Sequence, residues 1–291
     1  MANKIIPESE LIINPDGTVF HLHLHPEQLT DRIILVGDPS RVDMVASFFD
    51  TKDYEVSSRE FHTIGGTYAG KHIMCLSHGI GPDNIDIVIN ELDALANIDF
   101  ATREVRSDLR RLTMVRIGTS GALQPELSLG TPVIAEKSIG FDGVLNYYAG
   151  RDEVADLEFE KALMEHTGWN PNWAKPYIVD ADAELVDRIG GDDMVRGNTI
   201  SAVGFYGPQG RELRLPLSNP DLNRLIEQFE FNGRKITNYE MESAPLAGLG
   251  RLMGHRCMTV CSIIANRFNT EANPNYKSGI RDLIATVLHR I

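Results

Sequence analysis

Arg32-Ile33-Ile34-Leu35-Val36-Gly37-Asp38-Pro39-Ser40-Arg41 is the stretch that decides the fold. Ile33 to Val36 is a short apolar run of the kind that forms a buried strand. Gly37-Asp38-Pro39 turns the chain, and Arg41–Phe49 reads as a short helix. The same alternation recurs outward from it. His72–Ser77 is a strand. Between Pro82 and Asn97 the residues Ile85, Val88, Ile89, Leu92, Leu95 and Ala96 share one helical face. Leu112–Ile117 is a strand closed by Gly118, and Thr131–Ile139, Ser201–Phe205 and Met258–Ile264 read as strands. A last helix repeats the period at Ile280, Leu283, Ile284, Val287, Leu288 and Ile291. Such alternation predicts an α/β fold around a parallel or mixed sheet. With no repeat, low-complexity tract or linker in 291 residues, one domain spanning 1–291 is expected.

A formal net charge of −13 argues against a nucleic-acid partner, because an acidic surface repels phosphate backbones. It does not exclude a small anion held by a few buried arginines. The amino-terminal segment lacks the basic-then-apolar pattern of a secretory signal, and no apolar run nears the roughly 18 residues that suggest a membrane span. Cys75, Cys257 and Cys261 have no metal spacing and read as reduced thiols, so a cytoplasmic protein without a membrane partner is expected.

Ligands of open α/β sheets sit beyond the carboxyl ends of the strands. Gly37-Asp38-Pro39-Ser40-Arg41 follows one strand, and Arg116-Ile117-Gly118-Thr119-Ser120-Gly121 follows another. Glycines let backbone N–H groups approach an anion, and arginine grips phosphate bidentately. Either segment alone reads as a tight turn; the two together point to an anion site. Asn238-Tyr239-Glu240-Met241-Glu242-Ser243 brings two carboxylates to a helix start near Ser243, since Pro245 fits only a first turn. These acids complement either a helix dipole or ribose hydroxyls. Phe205-Tyr206-Gly207-Pro208-Gln209-Gly210-Arg211 offers an aromatic ring, a glutamine and an arginine. That set suits the acceptor–donor–acceptor edge of uracil.

Taken in order, FHLHL (20–24), GDPSRV (37–42), SSREF (57–61), SHGIG (77–81), RIGTSGA (116–122), FYGPQGR (205–211), NYEMESA (238–244) and IIANR (263–267) resemble the nucleoside phosphorylase-I family, in its uridine phosphorylase branch. The resemblance runs from about Phe20 through the last helix. It implies a three-layer α/β/α sandwich whose mixed central sheet is partly barrel-like. It also implies reversible phosphorolysis of uridine, deoxyuridine or thymidine. Phosphate attacks C1′ through an oxocarbenium-like transition state, giving free base and, from uridine, ribose 1-phosphate.

The resemblance further implies a phosphate site from Gly37, Arg41, Arg116 and Thr119, with Arg59 reaching it from a neighbouring subunit. His21, Glu240, Met241 and Glu242 would hold the ribose, His21 acting on the partner's site. Phe205, Gln209, Arg211 and Arg267 would hold the base. Arg116, Arg211 and Glu242 would carry catalysis, and removing Arg116 is expected to abolish turnover while sparing the fold. Inorganic phosphate is a co-substrate and no cofactor is needed. An interface cation near Glu60 is a further implication, although Asn84 stands where the family often has serine. The active unit would be a homo-oligomer, with a dimer favoured.

Three other features have their own readings. His21, His23 and His25 alternate as on one strand face; solvated edge histidines explain this better than zinc. Arg103, Arg106 and Arg110 fall at helical spacing within Asp99–Arg111. That segment reads as a solvated charged helix or as an insertion that alters assembly. Purine-specific relatives of this fold would place an aspartate after the late strand, where this chain has Ile264-Ala265-Asn266-Arg267. A non-catalytic nucleoside binder would lack the phosphate arginines, yet Arg41, Arg59 and Arg116 are all present.

Overall fold

The computed structural model describes residues 5–269, 271–273 and 276–291. The strands are β1 (Arg32–Val36), β2 (Thr51–Ser58), β3 (Phe61–Tyr68), β4 (Lys71–Ser77), β5 (Ile98–Asp99), β6 (Glu104–Val105), β7 (Thr113–Ala122), β8 (Pro132–Gly140), β9 (Tyr177–Asp180), β10 (Val195–Ser201), β11 (Glu230–Phe231), β12 (Arg234–Glu240), β13 (Arg256–Asn266) and β14 (Glu271–Ala272). The helices are α1 (Pro39–Ala46), α2 (Pro82–Asn97), α3 (Arg151–Val154), α4 (Leu157–Thr167), α5 (Ala183–Ile189), α6 (Leu222–Gln228), α7 (Ser243–Leu252) and α8 (Lys277–Arg290). None is long and apolar enough to cross a membrane.

The main sheet is mixed, in the order β11-β12-β10-β8-β13-β7-β1-β4-β3-β2. Helices cover both faces, and the strand alternation shows how. Ile33 and Leu35 of β1 pack with Val88 and Leu92 of α2 and Leu246 of α7. Ile34 and Val36 pack with Val42 and Val45 of α1 and Ile284 and Val287 of α8. Side chains two apart on a strand share a face, so one apolar run feeds two cores. This is the expected α/β/α sandwich.

Half of the sheet closes on itself. β12 pairs in parallel with β10 and antiparallel with β7, through Asn238 opposite Ala122 and Tyr239 opposite Gly121. The ring β7-β13-β8-β10-β12 is therefore a five-stranded barrel. Its seam is held by Asn238, which is fully buried. The Asn238 amide donates to Ser120 Oγ at 2.9 Å and accepts from Thr199 Oγ1 at 2.8 Å. The closure matters for function because it lays the Asn238–Ser243 segment beside the Arg116–Gly121 segment.

Some sequence expectations change. The Leu112 strand does not end at Gly118; β7 runs to Ala122 because β13 and β12 pair along its second half. The Ser201–Phe205 strand lies earlier, as β10, and residues 202–206 form an irregular lead into a 3-10 turn at Gly207–Gln209. Asp99–Arg111 is not a helix. Its first part is the β5–β6 hairpin, in which Asp99 accepts from the amides of Ala101 and Thr102 and Arg103 takes a left-handed φ of 59°. That local aspartate turn competes with helix formation. The segment then ties down the amino-terminal chain: Arg103 donates to the Leu11 carbonyl and Arg110 pairs with Asp31. His21, His23 and His25 do not lie on a strand, since the chain turns at Phe20–Leu22 and His23 has a φ of 53°.

Asn238→Ala tests the seam. It leaves buried hydroxyls of Thr199 and Ser120 short of a partner, a loss of about 2–3 kcal/mol. Urea unfolding should show that drop; stability within about 0.5 kcal/mol of wild type would mean that the seam does not depend on this amide.

Candidate active site

Arg116 lines a cleft of about 670 Å³ that opens where β1, β4, β7, β12 and β13 end. Its position follows from strand parity. Leu35 of β1 and Thr259 of β13 flank it in register, so the guanidinium lies on a sheet face that is otherwise buried. Only 4% of Arg116 is exposed. A charge in such a place must be paired and hydrogen-bonded. Arg116 Nη1 donates to Glu240 at 2.8 Å, Nη2 donates to Glu242, and Nε donates to His78 Nε2 at 3.1 Å. Gly118, two residues along the same face, makes room. A Cβ there would lie 2.7 Å from Arg116 Nη1 and 2.8 Å from Cys261 Sγ. The glycine is thus needed for arginine clearance rather than for a backbone anion nest.

The two carboxylates have different duties. Glu240 closes β12 and caps α7: it accepts from the amides of Glu242 and Ser243, the Ser243 hydroxyl and Arg116. Those bonds engage both of its oxygens, so Glu240 lines the cleft as part of the frame rather than as an open ribose ligand. Glu242 takes one amide, that of Gly81 at 2.7 Å, besides Arg116. Burial pushes Glu242 above its ordinary value, opposed by Arg116 and reinforced by Glu240. Burial works against the charged form of Arg116, but Glu242 and Glu240 outweigh it and hold its guanidinium above its usual range. Burial also lifts the Cys261 thiol to about 12, so the sulfur 3.5 Å from Arg116 is neutral.

Arg41 is the second buried cation. It projects from the first turn of α1 and donates to the Ile117 carbonyl at 3.3 Å. Gly37 and Thr119 line the same end of the cleft. Two of the amides expected to serve an anion are already used at this turn, because Ser40 N–H goes to the Asp38 carboxylate and Arg41 N–H to the Asp38 carbonyl.

The base end is a second polar group. Gln209 is 3% exposed, and its amide oxygen accepts from Arg211 at 2.6 Å and from Arg267 at 3.3 Å. Arg211 stacks on the Phe205 ring at 3.8 Å and donates to the Phe205 carbonyl at 2.5 Å. Burial, with Arg267 adding repulsion, pushes Arg211 down to about 10, which leaves it charged at neutral pH. Arg267 lies over Tyr239 at 5.0 Å and donates to the Gln209 carbonyl, so it supports the loop from behind. Met241, Tyr239, Ile264 and Ala265 complete the wall. Asn266, in the 264–267 segment that carries no acid, is turned into the core and donates to the Gln124 and Leu127 carbonyls.

Three expected residues do not line this cleft: Arg267, which lies behind the Gln209 loop, and Arg59 and His21. Arg59 forms the exposed tip of the β2–β3 hairpin with a φ of 54° and lies over Phe20 at 5.8 Å. His21 is held away by Glu91 of α2, whose carboxylate accepts from its ring at 2.6 Å and from the amides of His21 and Leu22. Glu91 and His78 were missed in the sequence. Glu91 had a signal, a carboxylate three residues after Val88 and four before Leu95 on the apolar face of α2.

The sequence profile of the phosphorylase superfamily matches residues 31–286. The chain belongs to that superfamily. It is 30% identical over 264 residues to a Thermococcus kodakarensis uridine phosphorylase, covering 88% of this chain and 80% of that one. Against Escherichia coli uridine phosphorylase the identity is 30% over 262 residues, covering 87% and 88%. Among solved structures, a Trypanosoma brucei nucleoside phosphorylase described as showing uridine phosphorylase activity superposes with a TM-score of 0.87 at 26% identity, covering 96% and 98%. In this member of the superfamily, Arg41, Arg116, Thr119, Met241 and Glu242 meet in one cleft with the Phe205–Arg211 loop.

The Arg116 geometry argues against the expectation that its loss would spare the fold. Arg116→Ala leaves two buried carboxylates without their cation and should cost about 3–5 kcal/mol. The pH dependence has a definite sign. Glu242 is already raised in the native state, and losing Arg116 raises it further. A raised carboxylate holds a proton that the unfolded chain has released, so stability falls as pH climbs above the unfolded value. Denaturation of the variant should therefore show a larger deficit at pH 8 than at pH 5. An equal deficit at both would mean that the carboxylates are not the cause.

Proposed function

We propose that this protein is a uridine phosphorylase: it uses inorganic phosphate to split uridine into uracil and ribose 1-phosphate. The observation that carries the reading is one cleft with cationic phosphate residues at one end, Glu242 in the middle and a Gln209–Arg211 pair at the other. Phosphate rests against Arg41, Arg116, Gly37 and Thr119. Glu242 and Met241 hold the ribose, and Phe205 lies against sugar and base. As the C1′–N1 bond lengthens, the sugar becomes cationic and the base anionic. Phosphate below C1′ stabilises the first charge and captures it with inversion. Arg211 stabilises the second, with Arg267 behind it. This is preorganised electrostatic catalysis combined with positioning.

The contacts of Gln209 add a detail to base recognition. The Gln209 oxygen already has two arginine donors. Accepting the uracil N3–H requires one of them to yield, and the freed Arg211 N–H groups then meet a uracil carbonyl.

Charge balance supports a shared site. Within one protomer Arg41 and Arg116 are offset by Glu240 and Glu242, leaving no surplus for a phosphate dianion. Arg59 on its exposed hairpin tip supplies that surplus when it enters a second copy's cleft, and His21 caps the partner's ribose. The active unit in this reading is a cytoplasmic homodimer. Glu60 and Asn84 also converge on Gly79: a Cβ there would lie 3.0 Å from Glu60 Cγ and 2.5 Å from Asn84 Nδ2. A hard cation takes roughly six to eight oxygens, so one at Glu60 would draw on the same pair from both copies.

Uridine should be cleaved only with phosphate present, and inosine turned over at least about a hundredfold more slowly, because a purine leaves the Gln209–Arg211 donors unpaired. Faster cleavage of inosine than of uridine would sink the pyrimidine reading. Sharing is tested by mixing two inactive variants, Arg59→Ala and Arg41→Ala. A mixed dimer keeps Arg41 and Arg59 together in one site and neither in the other. Activity should rise toward about half of wild type per mixed dimer; no recovery among exchanging subunits would place Arg59 outside the partner's site.

A further inference from the structure

His78 stands behind Arg116, outside the cleft lining. It is completely buried in the SHGIG segment, at the carboxyl end of β4. Its backbone N–H donates to the Val36 carbonyl at 2.8 Å, extending the β1–β4 ladder. Its ring lies under the Gly37 turn, where a Cβ on Gly37 would come within 3.7 Å of the ring and 3.3 Å of the Gly79 carbonyl. Nε2 accepts from Arg116 Nε at 3.1 Å, while Nδ1 makes no well-formed hydrogen bond within the described residues. Burial, with Arg116 and Arg41 close by, drives the imidazole well below its ordinary value, so it is neutral.

We propose that His78 is a positioning residue for phosphate binding: as an uncharged acceptor it fixes the plane of Arg116 without adding a third negative charge beside the anion. The proposal rests on the reading of Arg116 as a phosphate residue. A planar guanidinium held at Nε, Nη1 and Nη2 by His78, Glu240 and Glu242 cannot rotate. Two of those acceptors are carboxylates. A third at the Nε position would neutralise the site further and repel phosphate. An apolar side chain would leave a buried N–H unpaired and remove one of the three contacts that fix the guanidinium plane. An imidazole protonated only at Nδ1 avoids both. The ring also lies beside the Gly37 turn, whose missing Cβ would meet it at 3.7 Å, so it sits between the two segments proposed to hold phosphate. In this reading the SHGIG segment serves phosphate without touching it.

The test is steady-state kinetics at saturating uridine with phosphate varied, for wild type, His78→Phe, His78→Gln and His78→Asn. The Gln amide oxygen extends to where Nε2 sits, and the shorter Asn cannot reach it. His78→Phe and His78→Asn should raise KM for phosphate by about tenfold or more, as expected for losing one hydrogen bond to a charged group. KM for uridine should hold, and His78→Gln should stay within about threefold of wild type. A wild-type phosphate KM in His78→Phe, or equal effects of Gln and Asn, would overturn the proposal. A second measurement needs no variant: ring nitrogen NMR of the wild-type protein should show the proton on Nδ1 and an accepting Nε2, and a proton on Nε2 would refute it. Uridine cleavage by wild type without phosphate would instead defeat the phosphorolysis reading, and the tautomer would still decide where the Arg116 bond stands.

Discussion

A guanidinium on a buried sheet face is the constraint around which the site is arranged. The parity of β7 directs Arg116 to the side of the sheet that elsewhere carries Leu35, Leu76 and Met114. Nothing in that core can solvate a cation. The chain therefore brings Glu240 and Glu242 across from the end of β12, and it can do so because β12 closes onto β7. Gly118 is small so that the guanidinium can pass, and His78 takes the remaining inner N–H. Barrel closure, helix capping and ligand chemistry thus share one set of atoms. Glu240 alone ends β12, starts α7 and pairs with Arg116.

This arrangement explains how an acidic protein can hold a small anion. The net charge of −13 belongs to the whole chain, whereas binding is decided by the charges that face the cleft. There the cations are buried, held rigidly and only just balanced. In the proposed shared site, one arginine added from outside would tip this balance toward phosphate, and the hairpin tip that carries Arg59 is already shaped by β2–β3 pairing. The base end follows the same logic with weaker partners. Arg211 and Arg267 share a single amide oxygen of Gln209, so the loop is held by contacts among its own polar residues.

Much of the fold is legible in the sequence where information is local. Pro82–Asn97 forms a helix over the expected bounds because proline starts it and one face is continuously apolar. The helix start at Ser243 and the strands β1 and β4 follow in the same way. Local reading fails where long-range pairing overrides it. Gly118-Thr119-Ser120-Gly121 has the composition of a turn, yet two strands pair with it and it remains extended. Asp99–Arg111 has helical charge spacing, yet an aspartate turn and contacts with the amino-terminal segment make it a hairpin and tether. That Arg41, Arg116, Thr119, Gln209, Arg211, Met241 and Glu242 line one cleft matches the grouping of their motifs, whereas the contact of His78 with Arg116 has no local signal because only the pairing of β4 with β1 creates it.

The central claim is that the cleft activates phosphate, and not water, against C1′ of uridine. Phosphorus NMR of uridine incubated with the protein and inorganic phosphate tests this most directly. One α-ribose 1-phosphate should appear for each uracil released, since attack from below inverts the β-nucleoside. Uracil release that yields free ribose, at a rate indifferent to phosphate, would contradict the account.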